Sequence, residues 1–494
     1  MQLLKELVKI NPTTGVPAYL QISNSFIQNI RHGRLRRGLR LPGTREMATL
    51  LSVNRMTVVA AYEELEAQGW IEMLPRKGTF VKAKLPLLSP KKIDHTVVDY
   101  NLPEQPGFVY DKKKIISVPT SDFPPTNKLV FNDGFPDVRL APIEELVRCM
   151  RSFSRLTGNK KYLMYGGAPG TSLLRKTLAD FLCDTRGLSV APDNILITKG
   201  AQMGVFISSS VIINPGDEVI VGMPGYDMAN ITFRQLGAKL NCIPVNGDGI
   251  DVNAIEKICA KKKVRMVYVI PHHHNPTTVT LSPEKRMHLL KLAAKYKFAI
   301  IEDDYDYDFH YSSKPIMPMA SHDSNGNVIY IGTLTKTFAP AVRFGFIVAP
   351  KDFIQTATYF RKIVDTQGDS LMENAIAELY KDGTIARHIK KSVKLYKERR
   401  DHFCELLERE LGDRISFKIP DGGMSVWTRF LKDDLTMISR KAFERGLIIR
   451  DGTDYDTAKQ KFNSVRLGFA SLNFKEQMQA VKILKEVIQE SIRK

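Results

Sequence analysis

The chain holds 494 residues, 43% of them hydrophobic, with a net charge of +19 and a pI of about 9.5. That length exceeds one ordinary core, so two or three domains are expected, and the ordinary hydrophobic fraction implies that most of the chain folds. The positive excess favours a polyanionic partner. Five scattered cysteines (Cys149, Cys183, Cys242, Cys259, Cys404) form no CxxC pair and no metal spacing, which reads as reduced thiols. The opening run Met1-Gln2-Leu3-Leu4-Lys5-Glu6 lacks the apolar core of a signal peptide, and no apolar run reaches membrane length. A cytoplasmic protein with no membrane partner is expected.

Residues 1–82 carry 12 Lys+Arg against 6 Glu and no Asp, a local charge of +6. Tyr19, Ile22, Phe26 and Ile30 recur at helical spacing and predict a first amphipathic helix. After Pro42, Thr44 is placed as the N-cap of a second helix whose apolar face is Met47, Leu50 and Leu51. The turn Ser52-Val53-Asn54 leads into a third helix opening with Arg55-Met56-Thr57, and two helices across so short a turn predict a helix-turn-helix. Trp70–Leu74 and Thr79–Val81 alternate as strands around the basic turn Pro75-Arg76-Lys77-Gly78, which predicts a wing. Arg34, Arg36, Arg37 and Arg40 read either as part of a DNA-facing surface or as an ordinary solvated face. The run Leu-Pro-Gly-Thr-Arg-Glu-Met-Ala, followed by Val-Asn-Arg-Met-Thr-Val and Lys-Gly-Thr-Phe-Val, resembles the winged helix of GntR-type bacterial regulators. The resemblance implies duplex operator DNA as partner, with Arg45, Arg55, Thr57, Lys77 and Gly78 at DNA-facing positions.

Between 83 and 128, periodicity fades and prolines and lysine clusters recur, as in a linker. From residue 129 onward short apolar strands (Ile195–Thr198, Glu218–Gly222, Met266–Ile270, Ala299–Glu302, Val328–Ile331, Phe346–Val348) alternate with helical patterns. The alternation predicts an α/β domain with a parallel-rich sheet and ligand groups on the loops leaving the strands. From about 369 to 494 a smaller α+β subdomain is expected.

Lys336 follows one of those strands, with a hydroxyl three residues before it (Thr333) and an arginine seven after it (Arg343). An amine can form a Schiff base with an aldehyde, while Thr333 and Arg343 can hold a phosphate dianion. This loop resembles the attachment loop of fold-type-I aminotransferases that bind pyridoxal 5′-phosphate. In Glu302-Asp303-Asp304-Tyr305, a carboxylate can pair with a protonated pyridine nitrogen, and the resemblance gives Asp303 that role and Tyr305 the ring's 3′ oxygen. Asp304, Asp306 and Asp308 alternate on one face, but nothing nearby completes a metal site. Gly200-Ala201-Gln202 lies where a strand meets a helix, a place that suits phosphate. Tyr226 is either a ring contact, as the resemblance implies, or a tyrosine packed at a helix start.

His272-His273-His274-Asn275-Pro276-Thr277-Thr278 resembles the family's Asn-Pro-Thr-Gly loop, with Thr278 in place of the glycine, and implies that Asn275 bonds the 3′ oxygen. Three successive histidines on an extended strand point to alternating faces and do not converge on one metal. Tyr165 matches a tyrosine that reaches the phosphate of the neighbouring subunit's cofactor, and Arg466 matches an arginine for an amino acid's carboxylate. The whole order, winged helix, linker and aminotransferase-like body, resembles the MocR subfamily of GntR-type regulators. It implies a homodimer, with each DNA-binding domain crossing to its partner, that regulates transcription by sensing pyridoxal phosphate or its adduct with an amino acid or amine. A working aminotransferase with a DNA-binding arm, and a cofactor-free dimerising body, are the alternatives.

Overall fold

Alternation of apolar and polar residues settles which side of each strand is buried, and in this chain many strands are apolar on both sides. The computed structural model describes residues 2–8, 10–11, 16–85, 105–109, 128–155, 157–311, 316–456 and 460–492. It divides into two units, Met1–Tyr110 and Asp111–Lys494. The proline-rich stretch 83–128 lies for the most part outside the described residues.

In the first unit α1 (Gln2–Leu7), α2 (Ala18–Arg31), α3 (Thr44–Leu51) and α4 (Arg55–Ala67) surround one core. The strands β1 (Arg40–Leu41), β2 (Ile71–Leu74) and β3 (Gly78–Val81) form an antiparallel sheet in the order β1-β3-β2. Ile22, Phe26, Met47, Val58, Ala61, Leu65 and Ile71 fill the core, and Phe26 meets Tyr62 edge to face at 6.0 Å. The Tyr62 hydroxyl donates to the Pro42 carbonyl at 2.9 Å and fixes the chain's entry into α3. Gly43, not Thr44, occupies the cap position of α3, because Thr44 is already helical. The two-residue strand β1 adds a third strand to the wing that the sequence did not suggest.

The second unit opens with β4 (Leu129–Val130). Its main sheet contains β5 (Ile195–Thr198), β6 (Glu218–Met223), β7 (Lys239–Asn246), β8 (Gly249–Ile250), β9 (Val264–Val269), β10 (Ala299–Asp304), β11 (Val328–Thr333) and β12 (Gly345–Val348). The order is β5-β12-β11-β10-β9-β6-β7-β8. The pairs from β11 to β7 are parallel, whereas β12 runs antiparallel to both its neighbours. The helices α5 (Ile143–Arg155), α6 (Ser172–Arg186), α7 (Ala201–Ile212), α8 (Asp227–Gln235), α9 (Val252–Cys259), α10 (Pro283–Tyr296), α11 (Lys351–Asp365) and α12 (Ser370–Lys381) cover both faces. Ile301, Ile329, Ile331 and Ile347 face α7, α8 and α11, while their neighbours Ile300, Val328, Tyr330 and Phe346 face the other side. That is the period of two of a strand buried on both faces. α12 packs into the main-sheet core through Ala375, Ile376 and Leu379.

The long helix α13 (Thr384–Leu411) passes from one core to the next. Ile385 lies with the main sheet, and Tyr396, Phe403 and Leu407 lie in a second core. There α14 (Leu435–Glu444) and α15 (Phe474–Ile492) pack beside β13 (Ile415–Phe417), β14 (Ser425–Phe430) and β16 (Ser464–Gly468), an antiparallel sheet. The strand β15 (Leu447–Ile448) pairs in parallel with β4, so the first strand of this unit is part of the smaller layer. Among the described residues no helix is long and apolar enough to cross a membrane.

Candidate functional site

In the first unit the Asn54 side chain caps α4 by accepting from the Met56 N–H at 2.8 Å. That cap turns Arg55 and Met56 outward at the start of the second helix of the motif, while Val58, Ala61 and Leu65 face the core. Arg45 is exposed in the first turn of α3, and Thr57 is half-buried one turn into α4. At the wing tip Arg76 and Lys77 are exposed. Gly78 adopts φ +111°, a backbone conformation that L side chains rarely adopt, so the wing turn favours glycine there. Basic side chains thus sit at the starts of both helices and at the turn.

In the second unit one cavity of about 280 Å³ lies where the main strands end. It is lined by Ala201, Gln202, Tyr226, Asn275, Asp303, Tyr305, Thr333, Lys336 and Arg343, residues from six separate segments. Lys336 leaves the end of β11 and donates to the Gly134 carbonyl at 2.8 Å, with the Phe135 ring 4.4 Å below it. Burial, then the nearby Arg466 charge, pushes its pKa down to about 8. Arg343, in left-handed conformation, reaches the start of α7 and donates to the Lys199 carbonyl at 3.1 Å. Gly200 caps α7 at φ +85°, and a Cβ there would lie 2.8 Å from the Arg343 guanidinium. Guanidinium and helix N-terminus therefore converge, which suits a phosphate.

Thr333 is less open than its position suggests, because its hydroxyl donates to the Phe344 carbonyl at 2.6 Å. Thr335, directly before Lys336, also faces the cavity and its hydroxyl lies 2.9 Å from that of Thr333. The loop after β9 carries Asn275 into the cavity. Thr278 holds φ +60° with its N–H on the His274 carbonyl at 2.6 Å, so threonine keeps the turn that glycine would make freely, at a cost of roughly 1–2 kcal/mol.

Asp303 is buried at the cavity floor. Its Oδ2 accepts from the Tyr268 hydroxyl at 2.6 Å, while Oδ1 has no hydrogen-bond partner. Desolvation raises its pKa to about 7, against the pull of the Tyr268 bond. The neighbouring acids are each answered by a different group: Asp304 by His272 at 3.0 Å and Tyr330 at 2.9 Å, Asp306 by His273 at 3.0 Å, Asp308 by Arg186 at 3.0 Å. The three histidines diverge likewise, His274 turning to the Thr277 hydroxyl at 2.9 Å. Among the described residues no group of His, Cys, Asp or Glu is arranged to hold a metal.

A folded-state pKa of about 7 for Asp303 stands above the ordinary value of roughly 3.9. The folded protein therefore holds a proton that the unfolded chain releases over roughly pH 4 to 7. The resulting stability is complete below that window and is lost as pH rises through it. In cofactor-free protein, Asp303→Asn is expected to flatten melting temperature against pH across this range. Glu302, pushed up to about 8 by burial, retains a slope of its own. An unchanged slope would show that Asp303 does not carry the proton.

Two expected site residues stand apart. Tyr165 is 87% exposed and outside the cavity. Its loop is tied to the end of α11, because the Gly166 N–H donates to the Gln367 side chain and Arg361 donates to the Ala168 carbonyl at 2.8 Å. Arg466 on β16 is buried behind the cavity, donating to the Tyr305 hydroxyl at 3.4 Å, and Tyr305 in turn donates to the His273 carbonyl at 3.0 Å. The cavity also contains Asp133, Asp227, Arg450, Asp454 and Tyr455, which sequence reasoning passed over. Only the acidic residue beside Gly134-Phe135-Pro136 offered any signal.

The layered main sheet, the smaller α+β layer and a lysine at the sheet's ligand edge define a fold-type-I aminotransferase-like body, preceded in the chain by a winged helix. The family model for aminotransferase class I and II matches residues 127–484, and that for bacterial regulatory proteins of the gntR family matches 18–81. The probable rhizopine catabolism regulatory protein MocR of Rhizobium meliloti is 29% identical over 94% of this chain and 96% of its own length. Aromatic-amino-acid aminotransferase 1 of Thermococcus litoralis is 31% identical over 67% of this chain and 81% of its own. The Pyrococcus horikoshii kynurenine aminotransferase structure aligns with a TM-score of 0.69 at 29% identity, covering 74% of this chain and 92% of that one. The chain belongs to the class I and II aminotransferase family and, with its gntR-family domain, is a GntR-type transcriptional regulator of MocR architecture.

Proposed function

We propose that this regulator binds operator DNA through its first unit and pyridoxal 5′-phosphate through its second, and that the cofactor site senses an amine rather than turning it over. The observation that carries the reading is the cavity itself. Lys336 stands between an anion cradle (Arg343 and the start of α7) and Asp303, whose Oδ1 is buried without a partner. A protonated pyridine nitrogen is the kind of donor that orphaned oxygen lacks, so the residues present fit the group. When bound, pyridoxal phosphate supplies an aldehyde that condenses with amines and a ring that accepts electrons.

This chain's residues do the rest. Arg343, Gly200, Ala201, Gln202 and Thr335 hold the phosphate with Thr333 backing Thr335, Asp303 keeps a proton on the ring nitrogen, and Tyr268 steadies Asp303. Asn275 and Tyr305 orient the 3′ oxygen, Tyr226 covers the ring, and Lys336 presents an amine that is partly neutral near pH 8. The homodimer reading is supported by the exposed apolar run Leu163, Met164 and Tyr165 and by Tyr359, Ile363 and Val364 on α11, which the Gly166–Gln367 and Arg361–Ala168 bonds join into one face. That face would bring Tyr165 to the partner's phosphate. A soluble cytoplasmic protein fits these partners.

The test is a visible spectrum of purified full-length protein before and after addition of pyridoxal phosphate. A saturable new band is expected, and protein that stays colourless contradicts the reading. Turnover is the second reading, favoured by the completeness of the attachment site. Sustained conversion of an amino donor at an enzyme's rate would support it.

A further inference from the structure

Arg466 is the side chain that a carboxylate-bearing ligand would need, and in this chain a carboxylate already sits on it. Asp133 Oδ1 lies 2.7 Å from Arg466 Nε, charge against charge, without the alignment of a hydrogen bond, and the arginine side chain is only 2% exposed. The segment bearing Asp133 is pinned through the residue before it. The Gly468 N–H donates to the Asn132 carbonyl at 2.9 Å, and the Asn132 side chain donates to Ser471 at 2.7 Å. Gly134 follows at φ +75° and closes against the guanidinium, which lies 3.0 Å from where its Cβ would be. A ligand carboxylate would therefore meet a neutralised arginine and the like charge of Asp133 at contact distance.

The other charges of the cavity point the same way. Arg450 pairs with Asp454 at 3.4 Å, and Arg343 faces the phosphate position. Asp227, at the first turn of α8, lines the cavity and makes no ion pair or hydrogen bond among the described residues, feeling Arg234 and Arg450 only at longer range. A carboxylate left in this way favours a cationic group on the ligand.

We infer that Asp133 serves as a built-in carboxylate for Arg466, and that the effector is an amine without an α-carboxylate that carries a second cationic group, such as a diamine. Asp227 receives that second group. The inference rests on the cofactor-and-amine reading above.

1,4-Diaminobutane and ornithine test it, because they differ only by the α-carboxylate. Cofactor uptake by the full-length protein is scored first, and each ligand is then titrated while the cofactor's absorption is followed. The wild type is expected to respond to 1,4-diaminobutane at a concentration about tenfold or more below that for ornithine. Asp133→Asn, which keeps the shape and removes the charge, should shift that ratio about tenfold towards ornithine. Asp227→Asn should weaken the diamine and leave n-butylamine unchanged. Equal or tighter binding of ornithine by the wild type overturns the inference, as does a ratio that a folded, cofactor-loaded Asp133→Asn leaves unmoved. Failure of cofactor uptake sinks both readings, whereas uptake with the wrong preference sinks this one alone.

Discussion

Lys336→Ala is expected to abolish the covalent, borohydride-fixable attachment of pyridoxal phosphate while leaving the fold intact. The lysine is half-buried, its amine bonded among the described residues to the Gly134 carbonyl, and desolvation pushes its pKa down to about 8. At pH 7.5 roughly a quarter of such an amine is neutral, against about one in a thousand for an ordinary lysine, so attachment should rise with pH through about 8. Removing it takes one desolvated charge out of the interior, and the surrounding core comes from β10, β11 and α7, so the melting temperature should move by only a few degrees. Mass spectrometry after reduction decides the matter. A cofactor mass still attached to the peptide containing position 336 in the variant would show the assignment to be wrong.

The second large effect is expected at the winged helix. Arg45 and Arg55 are exposed at the starts of α3 and α4, with the basic wing turn at Lys77. Binding to operator duplex should weaken with salt by about 0.9 log unit per log unit of salt for each phosphate neutralised. Arg55→Ala and Arg45→Ala should each cost about tenfold or more in affinity, within the roughly 1–3 kcal/mol of a groove contact. A variant that loses a phosphate contact also loses about one unit of salt slope. Cofactor uptake should be unaffected in both, since those residues lie in the other unit. Filter or fluorescence titration at three salt concentrations measures all of this. Salt-independent binding, or full affinity with both arginines replaced, would remove the claim.

How much of this the sequence carried depends on how local each signal is. Ala299–Glu302 and Val328–Ile331 read as strands from their own side chains, and the Thr333-x-x-Lys336 spacing lies within one loop, so strand, loop and lysine were all legible. The helix-turn-helix was legible for the same reason, since its apolar faces and turn span few residues. Two-residue strands are not, and β1 and β4 exist only because a partner far along the chain pairs with them. Amphipathic pattern also fails to say which core a helix joins, so nothing in Ser370–Lys381 placed α12 with the main sheet. The Asp133–Arg466 pair spans most of the second unit and has no local signature. Conversely, Asp304, Asp306 and Asp308 invited a metal by their spacing. The fold gives each its own histidine, tyrosine or arginine instead, and within that run Asp303 is left with one oxygen unpartnered.

Sensing requires that a ligand favour one state of the protein over another, for a ligand bound equally by both shifts nothing. The cavity lies where the main sheet meets the smaller layer, with Tyr305 from one and Arg466 from the other in contact, so occupancy can bias how the two layers close. The deciding measurement is operator affinity of one full-length preparation in three states: cofactor-free, cofactor-loaded, and cofactor-loaded with amine. The affinities should differ by about fivefold or more between at least two states. Lys336→Ala and Arg343→Ala should erase the difference and still bind DNA. Identical operator affinity in all three states, alongside steady transamination, would contradict the account and leave an aminotransferase that carries a DNA-binding arm.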